Sequence, residues 1–542
     1  MQLRSCLLVF ITLLLFSCSK QDTATPIEPI APLPDSFTFS SLKVNELSAG
    51  FSYYGINTSP VFKLSFSTAI DKSSTEKAVV IKDKNGVPVK VELSYEDLDR
   101  TLVVKPALPL QPITKYFLDV QTNLTSDKGR NLKTPITVNL ITAINEADKF
   151  PLISEDALLN LVQKQTFKYF WDFAHPVSGL ARERNTSVDI VTSGGSGFGM
   201  MALVTGIHRN FISRDQGLER MQKIVAFLKN KAQRFHGAYP HWMNGNTGAV
   251  IPFSQKDDGA DLVETSLLMQ GMLTARQFFD AANPAETALR TDITHIYNDV
   301  EWDWFVKDNS LYWHWSPTVG WEMNLPIKGW NEALITYVMA GSSESHPIQK
   351  SVYDNGWASN GAMKNSMNGP LFFSHYSFLG INPNGLSDAY GNYENQTRTH
   401  AQNQYNYAKA NVKGFYGYGE NCWGLTASDD INGYLAHEPA NDNGVISPTA
   451  ALASFPYTPK ESMQALKYYY YKLGDKIWGA YGFADAFSLH DAWFASSTLA
   501  IDQGPIIIMI ENHRSQLLWK LFMSSPEVKT GMKKLGFSSP NL

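Results

Sequence analysis

Cysteine is almost absent. The 542 residues hold three, Cys6, Cys18 and Cys422, so no disulfide framework and no Cys-based metal site is available. A dominant charge is missing too: 46 basic residues face 51 acidic ones, a net charge of −5, without the basic footprint that nucleic acid requires. There is no His-Glu-x-x-His pair for a zinc protease and no Gly-x-Ser-x-Gly elbow for a serine hydrolase. Neither a metal nor a cofactor is therefore expected. Gly194-Gly195-Ser196-Gly197-Phe198-Gly199 lacks the spacing of a dinucleotide or phosphate loop and reads instead as a close backbone approach. The apolar run Leu7 to Phe16 is too short to span a bilayer, and no other segment reads as transmembrane.

That run does read as the apolar core of a signal peptide behind Arg4. It ends in Leu15-Phe16-Ser17-Cys18, which resembles a bacterial lipobox and implies cleavage before Cys18 and a lipid on its sulfur. Residues 1–17 are then the signal. Residues 18–36, with Pro26, Pro29, Pro32 and Pro34, form an extended tether. The expected location is that of an exported bacterial lipoprotein, periplasmic or on the outer surface, a monomer held to a membrane by its N-terminus. Cys422 is left without a partner and reads as a small buried hydrophobe.

The first 150 residues contain none of the 13 Trp and none of the 12 His. Over 37–144 the pattern is β. Val61 to Phe66, Val79-Val80-Ile81, Val87 to Tyr95 after the Asn85-Gly86 turn, Leu102-Val103-Val104, Tyr116 to Val120 and Ile136 to Leu140 predict six or seven strands. Their spacing argues for a sandwich and resembles the bacterial Ig-like domains that precede exported enzymes. From 150 to 542 the period is helical. Ser154-Glu155-Asp156 caps a helix carrying Leu158, Leu161, Val162 and Tyr169, and further stripes follow near 218–228, 261–279, 286–305, 328–341, 460–473 and 505–523. About a dozen helices in hairpins predict an all-α (α/α)₆ toroid.

Two stretches in the helical part carry acids. Asp257, Asp261 and Glu264 are spaced i, i+4, i+7 and would share a helix face, raising one another's pKa. Glu332 stands in Gly329-Trp330-Asn331-Glu332-Ala333-Leu334, one acid among apolar and aromatic neighbours. A carboxyl so desolvated stays protonated near neutral pH and can donate to a leaving oxygen. Asp429 and Asp485, in aromatic loops, are the candidates for a partner base. Around them His241, Trp242, Trp313, Trp315, Trp330, Asn331, His375, Tyr376 and Trp423 combine flat apolar faces with hydrogen-bonding groups. A neutral glycan needs both, since its C–H surfaces stack and its hydroxyls bond.

The stretches Gly259 to Thr265, Gly329 to Leu334, Phe373 to Phe378, Trp423 to Asp429, Pro448 to Ala451 and Ala500 to Pro505 resemble the glycoamylase-like domain. This domain includes glycoside hydrolase family 144, the bacterial β-1,2-glucanases. The likeness covers about 155–535. It implies an (α/α)₆ barrel, no metal, an inverting mechanism and acids at Asp257, Asp261, Glu264 and Glu332. The expected substrate is β-1,2-glucan or its oligosaccharides. Another glucan linkage, or a non-catalytic glycan-binding lipoprotein, is the alternative; a pure binder has no use for those four acids together.

Overall fold

The structure, a computed structural model, describes residues 36–358 and 369–542. The expected signal, Cys18 and all but the last residue of the tether lie outside the described residues.

Alternating side chains build two facing sheets from β1 (Phe39–Val44), β2 (Ser52–Ile56), β3 (Phe62–Phe66), β4 (Val79–Asp83), β5 (Pro88–Val89), β6 (Val91–Glu96), β7 (Thr101–Pro106), β8 (Lys115–Val120) and β9 (Ile136–Thr142). The sheet orders are β1-β3-β7-β6 and β2-β9-β8-β4-β5. Phe62, Leu64, Leu102 and Val104 from one sheet meet Ile81, Leu118, Val138 and Leu140 from the other, the layer expected of a sandwich. The Asn85-Gly86 turn forms as read, with Gly86 at φ +83°. The strand read over 87–95 is divided, however. Pro88-Val89 pairs with β4, and the chain then crosses to β7. A helix the sequence pattern did not announce, α1 (Lys72–Ala78), starts where the Asp71 carboxylate accepts the Ser73 N–H.

The rest of the chain is mainly helical: α2 (Glu155–Trp171), α3 (Ser193–His208), α4 (Arg214–Asn230), α5 (Leu262–Phe278), α6 (Pro284–Asn298), α7 (Leu334–Ser342), α8 (Lys350–Ala358), α9 (Tyr393–Ala410), α10 (Pro448–Leu452), α11 (Pro459–Lys467), α12 (Gly474–Ile477), α13 (Ala500–Ser515), α14 (Leu517–Ser524) and α15 (Pro526–Leu535). Ser154 caps α2 by accepting the Ala157 N–H. Helices α3, α5 and α7 are buried along nearly their whole length, whereas α4 and α6 bury one face. The buried helices are neighbours: α3 lies between α5 and α13, α5 also packs on α7, and α13 on α10. Short antiparallel pairs, 190–192 with 242–244, 260–261 with 314–315 and 427–430 with 433–436, gather at their N-terminal ends. The helical part is therefore not all-α, which corrects the expectation.

The glycine-rich stretch is the start of α3 rather than a loop. A Cβ on Gly197 would collide with the Leu267 carbonyl of α5, and one on Gly271 with the Gly197 carbonyl. Each helical glycine costs about 1 kcal/mol of propensity, and backbone-to-backbone packing of α3 on α5 offsets it. The β part is fastened to the helical part. Ile113 and Ile141 join the helical core, Tyr54 stacks on His490 at 4.0 Å, and the Ile144 N–H donates to the Tyr416 hydroxyl at 3.2 Å. Among the described residues no helix is long and apolar enough to cross a membrane.

Candidate active site

A cavity of about 490 Å³ opens at the N-terminal ends of the buried helices. Four carboxyl residues line it, Asp261, Glu264, Glu332 and Glu183, together with His241, Trp242, Phe253, Trp313, Tyr376 and Tyr434. Helix N-termini favour negative charge, so the fold offers acids a partly compensated place there.

Asp261 is the N-cap of α5, its Oδ1 accepting the Glu264 N–H at 2.9 Å. Glu264, one turn on, accepts the Gly194 N–H at 2.6 Å and the Thr192 hydroxyl at 3.2 Å, which joins it to the start of α3. Asp257 lies in the loop before α5. Only Glu264 of the three is helical, so the shared helix face read from their spacing is replaced by a loop, a cap and a first turn.

Two histidines bind these acids. His314 sits opposite Asp261 in a two-residue ladder. The Asp261 carboxylate lies 3.2 Å from His241 Nδ1 and 3.3 Å from His314 Nε2; the Asp257 carboxylate lies 3.6 and 3.4 Å from the same atoms. Positive and negative charges thus alternate around a ring. Burial opposes charge on His241, Asp261 and His314. Even so, His314 and His241 hold Asp261 well below the usual carboxylate range. In return Asp261 and Asp257 carry His314 up to about 9. His241, Asp257 and Asp261 also have the spacing of metal ligands.

Glu332 lies in the turn just before α7, not within it as expected. Its backbone carbonyl accepts the Ser377 hydroxyl. Burial, then the charges of Asp261 and Glu264, push its carboxyl up to about 7. That is the protonation state a general acid needs near neutral pH.

Opposite carboxyls cluster around Arg184. Its guanidinium holds Glu183 at 2.9 and 3.1 Å and Asp429 at 3.1 and 3.2 Å. Behind them Asp485 accepts the Asp429 N–H at 2.6 Å. Burial pushes Asp485 up to about 7 and Asp502 well above the usual range, the latter also through Asp485.

Comparison with known proteins now decides the family. A family model described as "Putative glucoamylase" matches residues 324–526, and one described as "Bacterial Ig-like domain" matches 45–142. The exo β-1,2-glucooligosaccharide sophorohydrolase (non-reducing end) of Parabacteroides distasonis is 44% identical over 495 residues, 82% of this chain and 68% of that protein. The chain belongs to the bacterial β-1,2-glucanase family, glycoside hydrolase family 144. The endo-β-1,2-glucanase of Chitinophaga pinensis, solved with sophorotriose and glucose, is 52% identical (TM-score 0.70; 72% of this chain, 100% of that one). A β-1,2-glucanase of Parabacteroides distasonis is 36% identical (TM-score 0.69; 92% and 73%).

In this family member the site divides the residues singled out by sequence. Glu332, Asp261, Glu264, His241, Trp242, Trp313 and Tyr376 line the cavity, and Asp257 backs Asp261 through the histidines. Trp423 does not: it is fully buried, its indole N–H donating to the Glu461 carbonyl. His375 is equally buried against Ser454, and burial pushes its pKa down to about 3. Trp330 packs on Phe378 and His400. Asn331 caps the turn through the Ala333 N–H. Trp315 packs edge-on to Trp304 and His236. These five shape the core and its turns rather than the cavity wall. Asp429 and Asp485 stand behind the wall. Reading by residue type missed Glu183 and Arg184, Phe253 stacked on His241 at 4.2 Å, and Tyr434. The Glu183-Arg184 pair shortly before the glycine-rich helix start was the available signal.

Proposed function

We infer that the chain hydrolyses β-1,2-glucan or its oligosaccharides with inversion at the anomeric carbon, Glu332 serving as general acid. The observation that carries the reading is Glu332 itself, a carboxyl pushed up to about 7 at a cavity lined by Trp242, Trp313 and Tyr376. Membership in a family whose relatives act on β-1,2-linked glucose chains supports the linkage. The Glu332 proton passes to the glycosidic oxygen as the C1–O bond breaks, while water adds to C1 from the other face and gives its proton to a carboxylate there. The finer architecture is proposed with it. Helices α3, α5 and α7, the segment 371–379, α10 and α13 form the inner ring of an (α/α)₆ toroid. The contacts α3–α5, α5–α7 and α13–α3, with His375 on Ser454 and Tyr457 on the Ser374 carbonyl, support a closed ring. Residues 37–144 serve as an adaptor and 150–542 as the catalytic unit.

Reducing-sugar release over β-1,2-, β-1,3-, β-1,4- and α-1,4-glucans, with product sizing and anomer detection by NMR, tests this reading. β-1,2-Glucan alone should be cut, to α-anomeric products. Turnover of α-1,4-glucan, which the glucoamylase description suggests, would overturn the linkage, and absence of any hydrolysis would leave a glycan binder. Export as a lipoprotein rests on Leu15-Phe16-Ser17-Cys18. Cys18→Ala should release the protein from the membrane fraction.

A further inference from the structure

We propose that Glu183 is the carboxylate that takes the proton of the attacking water, facing Glu332 across the cavity. The inference rests on the hydrolytic reading above and supplies the base it requires.

Four carboxyl residues line the cavity. Three of them, Asp261, Glu264 and Glu332, belong to the N-terminal ends of α5 and α7. Glu183 belongs elsewhere. Its N–H donates to the Ile190 carbonyl at 3.1 Å, and its carbonyl accepts the Ala500 N–H at 3.0 Å. That staples it between the strand leading into α3 and the first residue of α13. In the proposed ring order α3, α5, α7, 371–379, α10, α13, the seam between α13 and α3 faces the seam between α7 and 371–379, where the Glu332 carbonyl accepts the Ser377 hydroxyl. The acid and the proposed base are therefore on opposing walls, as inversion demands, since water must enter from the face away from the leaving group.

The side chain is held for this task. Arg184 Nε lies 2.9 and 3.1 Å from its two oxygens, and the Ser187 hydroxyl donates to one of them at 3.2 Å. Each oxygen retains capacity to accept from a water. The neighbouring acids are less suited. Asp485 and Asp502 are buried behind the wall and hold protons near neutral pH. Asp429 lies outside the lining and is taken up by Arg184 and the Ser497 hydroxyl.

The step balances. Water oxygen bonds to C1, and one water proton goes to a Glu183 oxygen. The electron pair of the broken C1–O bond goes to the leaving oxygen, which takes the Glu332 proton. Glu332 ends as a carboxylate and Glu183 as an acid, and exchange with solvent restores both.

The test uses the full chain with Glu183→Gln, Glu183→Ala and Asp429→Asn, each checked for fold by circular dichroism and for sophorotriose binding by calorimetry. On β-1,2-glucan, or on whichever glucan the wild type cuts, Glu183→Gln should lose about 10²–10⁴-fold in kcat with little change in KM. Asp429→Asn should lose less than about tenfold. Azide should restore turnover to Glu183→Ala and yield the α-glycosyl azide, because the small anion replaces the deprotonated water. The assignment is overturned if Glu183→Gln keeps more than about a tenth of wild-type kcat. Equal damage from Asp429→Asn, or no azide product from a Glu183→Ala variant that still binds sophorotriose, overturns it as well. A wild type inactive on every glucan sinks the hydrolytic reading instead, and Glu183 with it.

Discussion

The two sides of the cavity, lining and backing residues together, hold four acids each and balance them differently. On one, Asp257 and Asp261 meet two histidines, with Glu264 and Glu332 beside them. On the other, Glu183 and Asp429 meet one arginine, with Asp485 and Asp502 behind them. Histidine can give up its charge and arginine in practice cannot. The histidine wall can thus change state with pH, while the arginine wall offers a fixed field. Each wall keeps one carboxyl near 7, Glu332 at the cavity surface and Asp485 behind it. Position, not pKa alone, favours the first of these as the proposed acid.

The sharpest way to separate the walls is Glu332→Gln. Removal of a general acid costs about 10²–10⁴-fold in kcat, and a substrate with an aryl leaving group should be largely spared. If both substrates suffer alike, the proton does not come from this wall. Arg184→Met comes next. It leaves Glu183 and Asp429 facing each other without a cation, and urea unfolding should show a loss of about 2–3 kcal/mol, the scale of hydrogen bonds to charged groups. An unchanged midpoint would mean that the arginine wall needs no counterion.

A third comparison uses pH. Glu332 and Asp485 have folded pKa values of about 7 against reference values of 4.5 and 3.8. Between those limits the folded state holds protons that the unfolded chain has released, so stability falls as pH rises from about 4 to 7, by at most about 1.4 kcal/mol per pH unit for each group. Glu332→Gln and Asp485→Asn should each remove one share of that slope. If only one does, the walls are less alike than their pKa values indicate. His314, raised to about 9, adds stability that is lost as pH rises from 6.5 to 9. The smallest effect belongs to His314→Gln. With a cation gone beside Asp261, Glu332 should hold its proton more tightly, and the alkaline limb of kcat/KM should move up by less than about one unit. A downward move would mean that Asp261 had become neutral.

Much of the histidine wall was legible because its acids stand in short stretches where polar residues interrupt apolar ones, as Glu332 does beside Trp330. The arginine wall was not. Glu183 and Arg184 sit in an irregular loop without periodicity, and Asp429, which Arg184 joins to Glu183, lies 245 residues away. Helix α3 was hidden for a different reason. Gly194, Gly195 and Gly197 argue against a helix by propensity, and close contact with α5 and, at Gly195, with Ala500 of α13 overrules them. Trp423 and His375 show the reverse error: residue type suggested a sugar site, but the Glu461 carbonyl and the Ser454 hydroxyl satisfy their polar atoms within the core. The sandwich was read from strict alternation, although the crossover after Val89 depends on which sheet accepts each strand, a long-range choice.

Gly197 and Gly271 leave no clearance between α3 and α5. The Glu264 carboxylate, which accepts the Gly194 N–H across the seam, is thereby held at a separation that backbone contact sets. The catalytic gap is machined rather than tunable. A change of glucan preference should then come from the rim, through Phe253 on its loop and Tyr434 on the 427–436 hairpin, and a library confined to those segments should yield altered chain-length selectivity while one directed at the seam yields unfolded protein.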